Sequence, residues 1–507
     1  MIHVKRHTAL LILTVGLVGL VFFRLYTGIL LEDALVTFRI AENAVRGQGL
    51  VYNLGARVQG STTPLFTLLL VAGGAIFGVD RIPQLALCFA IPATLLAAWL
   101  IYRTLLILSV PSLAALAVLV LFLLRPETLW STGGGMETSL VVLAMAASWY
   151  FLAHGYVPRA AFACGLLILL RIDGAIWTAL MILWVSLRDW KRGLWSGAVV
   201  LLTIAPWFIF ATIYFGNPLP QSLLAKGVIG EAYRIFDWRE LVSRAQWHAS
   251  YLSPVSHYGF SIGLPVYLVG MVAAVRRLRR EFLLPALFPV LFFFALHVGH
   301  APRFPWYMVP AAWCALVTAA VGWWQIGCWL HERTSQILGW NASAVGFGVF
   351  VMVLGGFLWR DRRELQYQRG YQINEIGLRE AVGLWLRDHL PPTSTVATES
   401  IGYEGYYSQC QVIDLAGLVS PEVVKIRRAS LSNAGAFHTA LEQLKPDAIV
   451  LRSYEVDENR HFHGGKLFET DEQRKDFGDS YHEVARFRAP LPDLWGPLGY
   501  LTVYRRL

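Results

Sequence analysis

Long apolar runs separated by short polar turns dominate the chain up to residue 359, and this pattern predicts membrane-spanning helices. The first run covers residues 8–31 and follows Lys5, Arg6 and His7. It is longer than a signal-peptide core of about 7–15 residues, and no small-x-small cleavage motif follows, so we expect a retained first span. Further apolar runs lie at residues 64–79, 84–103, 109–124, 138–153, 159–170, 174–187, 195–215, 263–275, 282–299, 304–325 and 339–359.

Basic turns between these runs predict the orientation of the chain in the membrane. The densest turns lie at residues 188–192 and 276–280, and the positive-inside rule places such turns in the cytoplasm. Working outward from them, we expect the N-terminus inside and three segments outside: residues 216–262, residues 300–303 and the chain beyond 359. The pattern predicts about eleven crossings.

The first half of the chain permits two arrangements, because only five of its six later runs can cross. Either residues 64–79 dip into the membrane without crossing, or residues 159–187 form one long helix through Arg171 and Asp173. We prefer the first arrangement, since it places Glu127, Glu137 and the Arg171–Asp173 pair near the outer face. A charge at the centre of a span costs roughly 2.5–3.5 kcal/mol on insertion scales.

Charge divides the chain into two parts. Residues 360–507 carry 19 Lys/Arg and 21 Asp/Glu, whereas residues 1–359 carry 24 and 13. We therefore predict a polytopic α-helical membrane domain at 1–359, with external loops at 32–83 and 216–262, and a soluble extracytoplasmic α/β domain at 360–507. In that tail a helix is expected at 375–389 and strands at 395–398, 410–414, 448–451 and 500–504.

Several function classes are disfavoured by the same residues. The excess of basic charge lies in short loops between spans, so a nucleic-acid partner is not indicated. The tail contains no Gly-rich phosphate loop, no GxSxG motif and no HExxH motif. The five cysteines are scattered without ligand spacing, so we expect no metal site, although a divalent metal requirement stays open.

The segment that follows the first span carries the candidate chemistry. Residues 31–66 read LEDALVTFRIAENAVRGQGLVYNLGARVQGSTTPLF, and Glu32 and Asp33 stand where a helix leaves the membrane on its outer side. Acids at this position are often simple interfacial residues. The alternative is a general base, because a carboxylate at the boundary can accept a proton from an acceptor that arrives from outside.

This segment resembles the first external loop of bacterial GT-C glycosyltransferases, and it is most similar to that of the mycobacterial terminal arabinofuranosyltransferase family. The family pattern is roughly DDAxIxFRxAxNxxxGxGLVxNxGExVxGYTxPLW. The matching residues are Asp33, Ala34, Phe38, Arg39, Asn43, Gly47, Gly49, Leu50, Val51, Asn53, Gly55, Val58, Thr63 and Pro64. Weaker similarities follow at residues 135–138, 171–174, 216–220, Lys226, Arg303 and, in the tail, at Gly402, Tyr407, Asp414 and 417–418.

The resemblance implies an inverting transferase that uses a polyprenyl-phosphate sugar, with Asp33 as the general base. Arabinofuranose is the sugar that the named family suggests. Glu32 stands where the family has its first Asp, which leaves the chemical role of position 32 open. The leaving phosphate needs cationic partners, and the candidates for that role are Lys226, Arg303, Arg39 and His300. Candidates for substrate binding are Glu32, Asn43, Tyr52, Asn53, Glu127, Glu137, His248 and His257.

Simpler interpretations compete with each of these roles. Basic residues near span ends commonly snorkel to the interface, and aromatic residues beside His248 and His257 are typical of an interfacial belt. Glu127 and Glu137 can also be ordinary acids at helix ends, and Arg171 with Asp173 fits a structural ion pair. The expected partners are a membrane lipid donor and an extracytoplasmic glycan or protein acceptor, at the bacterial cytoplasmic membrane.

Two other functions are compatible with the apolar content. A transporter or channel for envelope precursors is disfavoured because charges cluster at one face and the two halves show no inverted repeat. A non-catalytic protein whose tail recognises cell-envelope glycan is the second alternative.

Overall fold

The computed structural model describes residues 6–223, 225, 263–278, 280–298, 305–338, 365–462, 464–492 and 499–507. Two compact units divide the chain. The membrane unit comprises Met1–Tyr26, Ala86–Pro206 and Ile235–Gln366, and the loop–tail unit comprises Thr27–Leu85, Trp207–Arg234 and Tyr367–Leu507. This division differs from the single boundary expected near residue 360, because residues 27–85 and 207–234 belong with the tail.

All regular elements described up to residue 338 are helices. They are α1 Arg6–Thr27, α2 Glu32–Val45, α3 Pro64–Phe77, α4 Ile82–Ile107, α5 Ser112–Leu124, α6 Pro126–Gly133, α7 Thr138–Ala153, α8 Val157–Leu170, α9 Gly174–Ser186, α10 Trp190–Phe215, α11 Gly263–Arg277, α12 Leu283–Val298 and α13 Pro305–Leu338. Pro64, Pro126 and Pro158 lie in the first turn of α3, α6 and α8, where the missing N–H of proline has no helical partner to lose.

Some of these helices are long and apolar enough to cross a membrane. In the described part of the chain there are five such helices, at Leu10–Thr27, Val79–Ile107, Trp190–Phe215, Arg280–Val298 and Trp306–Leu330. A sixth results if α5 and α6, which meet at an angle of 49°, form one broken span. The chain is therefore a multi-pass membrane protein, while the predicted count of eleven crossings is not confirmed.

The structure shows whether residues 159–187 form one long helix, which is the second of the two arrangements of the first half. Helix α8 ends at Leu170 and α9 begins at Gly174, with Arg171 in an extended conformation between them. A single long helix over 159–187 is therefore excluded. Helix α3 has 14 residues, about 21 Å of helix against a hydrocarbon core of about 30 Å, and its failure to cross stays a prediction.

Small residues let two helices of the membrane unit approach closely. A Cβ on Gly270 in α11 would overlap the carbonyl oxygen of Thr318 in α13, and a Cβ on Gly322 would overlap that of Val266. Close backbone contact through small residues replaces hydrophobic association between helices in lipid. Trp149, Trp177 and Trp313 pack nearby, with ring centroids 6.0 Å apart from Trp313 to each of the others.

The tail contains a five-stranded sheet. Its strands are β1 Thr395–Thr398, β2 Gln411–Asp414, β3 Ala448–Arg452, β4 Tyr481–Arg488 and β5 Tyr500–Arg506, in the order β2-β1-β3-β5-β4. Strands β2, β1 and β3 run parallel, whereas β5 is antiparallel to both β3 and β4. The predicted α/β class is confirmed, and four of the strands were expected from the sequence.

Helices cover both faces of this sheet. Residues 365–375 are helical and lead through a π-helical turn, Ile376–Glu380, into α14 Ala381–His389. This segment packs Leu378, Val382 and Leu386 on one face, and Phe437 and Leu441 pack on the other. The remaining helices are α15 Tyr403–Ser408, α16 Pro421–Ala429, α17 Asn433–Leu444, α18 Ser453–Asp457 and α19 Asp471–Ser480.

Candidate functional site

Asp33 lies in the first turn of α2 and its side chain is exposed. The turn begins directly after Leu31, which has an extended backbone and provides no side-chain cap. A carboxylate in the first turn of a helix is stabilised by the positive end of the helix dipole. By contrast, Ala34, Leu35 and Phe38, which follow it in the same helix, are buried. Helix α2 therefore presents one acid to solvent from a largely buried helix.

Arg39 is buried inside the loop–tail unit and is 2% exposed. Its three guanidinium nitrogens donate to the carbonyl oxygens of Tyr52 (3.0 Å), Gly405 (2.5 Å) and Cys410 (2.6 Å). The guanidinium also stacks on the ring of Tyr52, 4.3 Å from its centroid. These contacts favour a structural role, and they run against the expectation that Arg39 binds the donor phosphate.

Three expected substrate-binding residues make similar internal contacts. The amide nitrogen of Asn43 donates to the carbonyls of Val51 (2.9 Å) and Tyr52 (3.1 Å). The hydroxyl of Tyr52, 1% exposed, donates to the carbonyl of Ile401. Asn53 pairs with both backbone groups of Val412, at 2.8 and 2.9 Å, and so caps the edge strand β2. The contacts favour a structural role for all three, and their binding of substrate stays a prediction.

The external loop packs beside β2, which is an edge strand of the sheet. Ile40 and Tyr52 contact Val412 within β2, together with Ile401 and Val419, which follow β1 and β2 in the chain. This apolar cluster joins the loop to that side of the sheet.

Glu32 makes an ion pair that the sequence did not predict. Its Oε2 lies 2.5 Å from Nη1 of Arg379, and its Oε1 accepts a 3.4 Å hydrogen bond from the backbone N–H of Gly402. Arg379 lies in the π-helical turn and also contacts Glu375 at 3.2 Å. The i,i+4 spacing of Glu375 and Arg379 was visible in the sequence, but the partner across 347 positions was not.

Two buried carboxyl groups lie close to this ion pair. Burial raises the pKa of Glu375 to about 7, and the Arg379 guanidinium opposes the shift. Burial likewise raises the pKa of Glu404 to about 8, against a hydrogen bond donated by the Thr398 hydroxyl. Three carboxyl groups thus share one guanidinium, and protonation of the buried acids lowers the excess of negative charge.

The raised pKa of Glu404 predicts a pH-dependent stability. The folded protein keeps this proton up to about pH 8, above the ordinary value of 4.5. The stabilisation is therefore complete below about pH 4.5 and is lost as the pH rises through 8. We expect the free energy of unfolding to fall between pH 6 and about pH 8, by up to about 1.4 kcal/mol per pH unit for one proton, and to level off above pH 8. The thermal midpoint should fall with it over the same range. Replacing Glu404 with glutamine should make this fall shallower.

The matched control for that experiment is the exposed Glu472 in α19. Glu472→Gln should leave the slope of midpoint against pH unchanged. Equal slopes for the Glu404→Gln variant and the wild type would contradict the assignment.

Gly405 is required by the close approach of α15 to the loop. A Cβ at this position would overlap the hydroxyl oxygen of Tyr52 and lie 3.1 Å from Nη1 of Arg39. We expect Gly405→Ala to destabilise the protein by about 1–3 kcal/mol, as overpacking does in other cores. Thermal unfolding of the purified protein measures the effect.

Gly478→Ala in α19 is the comparison, since its Cβ would meet nothing within 4 Å. In a helix this change should stabilise by roughly 0.5–1 kcal/mol. If Gly405→Ala were equally harmless, the packing of Tyr52 against α15 would be refuted.

The two candidate acids of the membrane unit are both in ion pairs. Glu127 binds the Arg125 guanidinium at 2.6 Å, beside a small cavity that is lined by Phe122, Trp313 and other apolar residues. Glu137, 4% exposed, lies 3.8 Å from Nε of Arg171. Their role in binding substrate stays a prediction.

Arg171 also pairs with Asp173 and donates to the carbonyl of Trp306 at 3.1 Å. The expected structural pair is therefore present, although Glu137 joins it as a third member.

Five expected site residues lie outside the described residues. They are Lys226, His248, His257, His300 and Arg303. Among the described residues, no group of three His, Cys, Asp or Glu side chains is arranged to hold a metal ion.

Known proteins resemble the whole chain in fold. ArnT from Cupriavidus metallidurans in the apo state aligns over 98% of this chain and 97% of its own, with a TM-score of 0.57 and 13% identity. ArnT from the same organism bound to undecaprenyl phosphate aligns over the same shares, with a TM-score of 0.53 and 13% identity. The chain has the GT-C fold. The GT-C fold class expected from the loop motif is thereby confirmed.

A curated relative supports the sequence resemblance. The terminal beta-(1->2)-arabinofuranosyltransferase of Mycobacterium tuberculosis (strain ATCC 25618 / H37Rv) is 25% identical over 289 residues, which are 51% of this chain and 43% of the relative. The match thus spans less than half the length of that relative. The predicted similarity to GT-C membrane glycosyltransferases and to this arabinofuranosyltransferase is confirmed. Residues 362–504 also match a family described as a domain of unknown function (DUF8728).

Proposed function

We propose that this GT-C protein is a glycosyltransferase that moves a sugar from a polyprenyl-phosphate donor to an acceptor outside the cytoplasmic membrane. The observation that carries the proposal is the state of Asp33 in this fold. It is exposed in the first turn of α2, while most of that helix is buried. A base must be reachable by the acceptor and held in place, and the exposure of Asp33 on a mostly buried helix supports this role.

The proposed reaction is a single displacement. The acceptor oxygen attacks the anomeric carbon, and Asp33 accepts the proton of that hydroxyl. The new carbon–oxygen bond forms as the bond to the polyprenyl phosphate breaks, so that the lipid phosphate leaves with the bonding electrons. Attack from the opposite face inverts the anomeric centre.

Cations are proposed for the leaving phosphate, because a developing negative charge is stabilised by preorganised donors. We retain Lys226, Arg303 and His300 for this role on the ground of the sequence. Arg39 is assigned instead to the structure of the loop, since its guanidinium nitrogens are engaged by three carbonyl oxygens.

Other residues are proposed to contact the substrate. Glu127 and Glu137 remain candidates in the membrane unit, and His248 and His257 remain candidates in the external loop.

The proposed donor rests on similarity, and the proposed orientation rests on the basic turns. An arabinofuranosyl donor is supported by the curated relative, and a polyprenyl phosphate by the lipid bound to ArnT. We propose a cell-envelope glycan as the acceptor class. The positive-inside pattern supports a cytoplasmic N-terminus and an external tail.

The experiment that tests the function uses the full-length protein in sealed proteoliposomes. Polyprenyl-phosphate arabinofuranose is supplied with an arabinan oligosaccharide, and the products are counted by mass spectrometry. Glycosylated acceptor supports the proposal. Movement of labelled precursor into the vesicles without product would favour a transporter. Acceptor binding with no turnover of any polyprenyl-phosphate pentose or hexose would favour a non-catalytic glycan-binding protein.

A further inference from the structure

We propose that the Glu32–Arg379 ion pair positions Asp33 for proton transfer, which makes the C-terminal α/β part a component of the catalytic site. This inference rests on the proposed function. It assigns Glu32 and Arg379 as positioning residues rather than substrate ligands. The tail, predicted as a soluble domain at 360–507, would thereby hold the base in position.

The backbone just before Asp33 is held by the tail at several atoms. The N–H of Leu30 donates to the Gln372 side chain, and the carbonyl of Leu30 accepts from the Tyr403 hydroxyl, both at 2.9 Å. Gln372 in turn donates to that hydroxyl at 2.9 Å. The chain therefore enters α2 with both backbone groups of Leu30 fixed, three residues before the base.

Glu32 is held most closely. Its carboxylate binds Arg379 at 2.5 Å and the Gly402 N–H at 3.4 Å. A Cβ on Gly402 would overlap the backbone oxygen and the Cγ of Glu32, so the two backbones are in direct contact. Because Glu32 and Asp33 are the first two residues of α2, fixing Glu32 fixes the direction in which the Asp33 side chain leaves the helix.

The ion pair is not explained by stability alone. The Arg379 side chain is 10% exposed and that of Glu32 is 23% exposed, and a pair in such surroundings can often be replaced by apolar residues without loss of stability. Arg379 also lies in a π-helical turn, Ile376–Glu380, a rare conformation that occurs frequently at functional sites. Both features favour a role in geometry.

Charge gives the pair a second effect on the base. Arg379 neutralises the carboxylate beside Asp33, and the other titratable groups with which Arg379 interacts include Glu375, Tyr371 and Glu404. Without Arg379, the Glu32 carboxylate opposes ionisation of Asp33. Without the Glu32 charge, the Arg379 guanidinium favours it. Loss of the Arg379 charge and loss of the Glu32 charge should therefore move the acidic limb of the kcat–pH profile in opposite directions.

The test measures kcat, the KM for polyprenyl-phosphate arabinofuranose, and the pH profile in full-length variants. Arg379→Met should lower kcat about 10- to 100-fold, as small displacements of a catalytic group do, with the donor KM changed less than about two-fold because the pair contacts no donor atom. Its acidic limb should move to higher pH. Arg379→Lys should recover part of kcat.

Glu32→Gln removes the charge but keeps one amide oxygen that can accept from Arg379, at the cost of the long hydrogen bond from the Gly402 N–H. It therefore tests the charge where Arg379→Met fails to fold. Its acidic limb should move to lower pH. Arg486→Met breaks an exposed pair with Glu483 in β4 and is the matched control, expected to leave kcat and the profile unchanged.

Two results would overturn the inference while the proposed function stands. One is a wild-type kcat in Arg379→Met when Asp33→Asn is inactive. The other is an unmoved acidic limb in the folded variants, which identifies the pair as merely structural. A wild-type protein without transfer activity would instead overturn the proposed function.

Discussion

Replacing Asp33 with asparagine should lower kcat by about 10²–10⁴-fold, the usual contribution of a general base. Asparagine has nearly the same shape but cannot accept the proton of the acceptor hydroxyl. Since Asp33 is exposed in the first turn of α2, the substitution should leave the fold and the donor KM nearly unchanged. Initial rates with the full-length protein, measured at saturating donor, give the result.

Asp80→Asn is the matched control, because Asp80 is also an exposed acid in the loop–tail unit. It should keep wild-type kcat. Full activity of Asp33→Asn would exclude Asp33 as the base, whereas equal loss in both variants would point to a general effect of charge.

Replacing Arg39 with leucine should destabilise the loop–tail unit by at least about 3 kcal/mol. Each hydrogen bond from a charged donor is worth about 1.5–3 kcal/mol, and Arg39 makes three to carbonyl oxygens. Two of those oxygens keep other partners, since Tyr52 O accepts from Asn43 and Gly405 O from the N–H of Gln409. We expect the thermal midpoint to fall by about 6–12 °C.

Arg46→Leu is the control for that experiment. Arg46 ends the same helix, its side chain is 42% exposed, and its ion pair with Glu42 is 3.6 Å long. Exposed pairs contribute about 0–1 kcal/mol, so the midpoint should move by no more than about 4 °C. A midpoint for Arg39→Leu equal to that of Arg46→Leu would show that the buried guanidinium is not what joins the loop to the tail.

Local patterns predicted the strands of the tail well. Thr395–Thr398 and Ala448–Arg452 are short apolar runs bounded by turn residues, and both became central parallel strands. Strand β4, Tyr481–Arg488, was missed because its residues are mostly polar and partly exposed. Among the described strands it pairs with β5 alone, at the edge of the sheet, so little apolar burial marks it in the sequence.

The position of Asp33 was predictable, whereas the partners of its neighbours were not. The apolar run at residues 8–31 places Asp33 directly after the first span, and the resemblance to the family motif suggests its role as a base. The contacts of Arg39 with Gly405 and of Glu32 with Arg379 join residues more than 340 positions apart, and no local periodicity encodes them. For this reason Arg39 looked like a phosphate ligand, and the tail looked like a separate domain.

The most direct test of the central claim is a single-turnover experiment with the full-length protein. Polyprenyl-phosphate arabinofuranose is bound to the protein, an acceptor is added, and released polyprenyl phosphate and glycosylated acceptor are counted together. The anomeric configuration of the product is read by NMR. The account predicts equal amounts of the two products and an inverted anomeric centre. It also predicts that Asp33→Asn forms neither product on the time scale of the wild-type turnover. A retained anomeric configuration, or product formation by Asp33→Asn at the wild-type rate, would contradict the account.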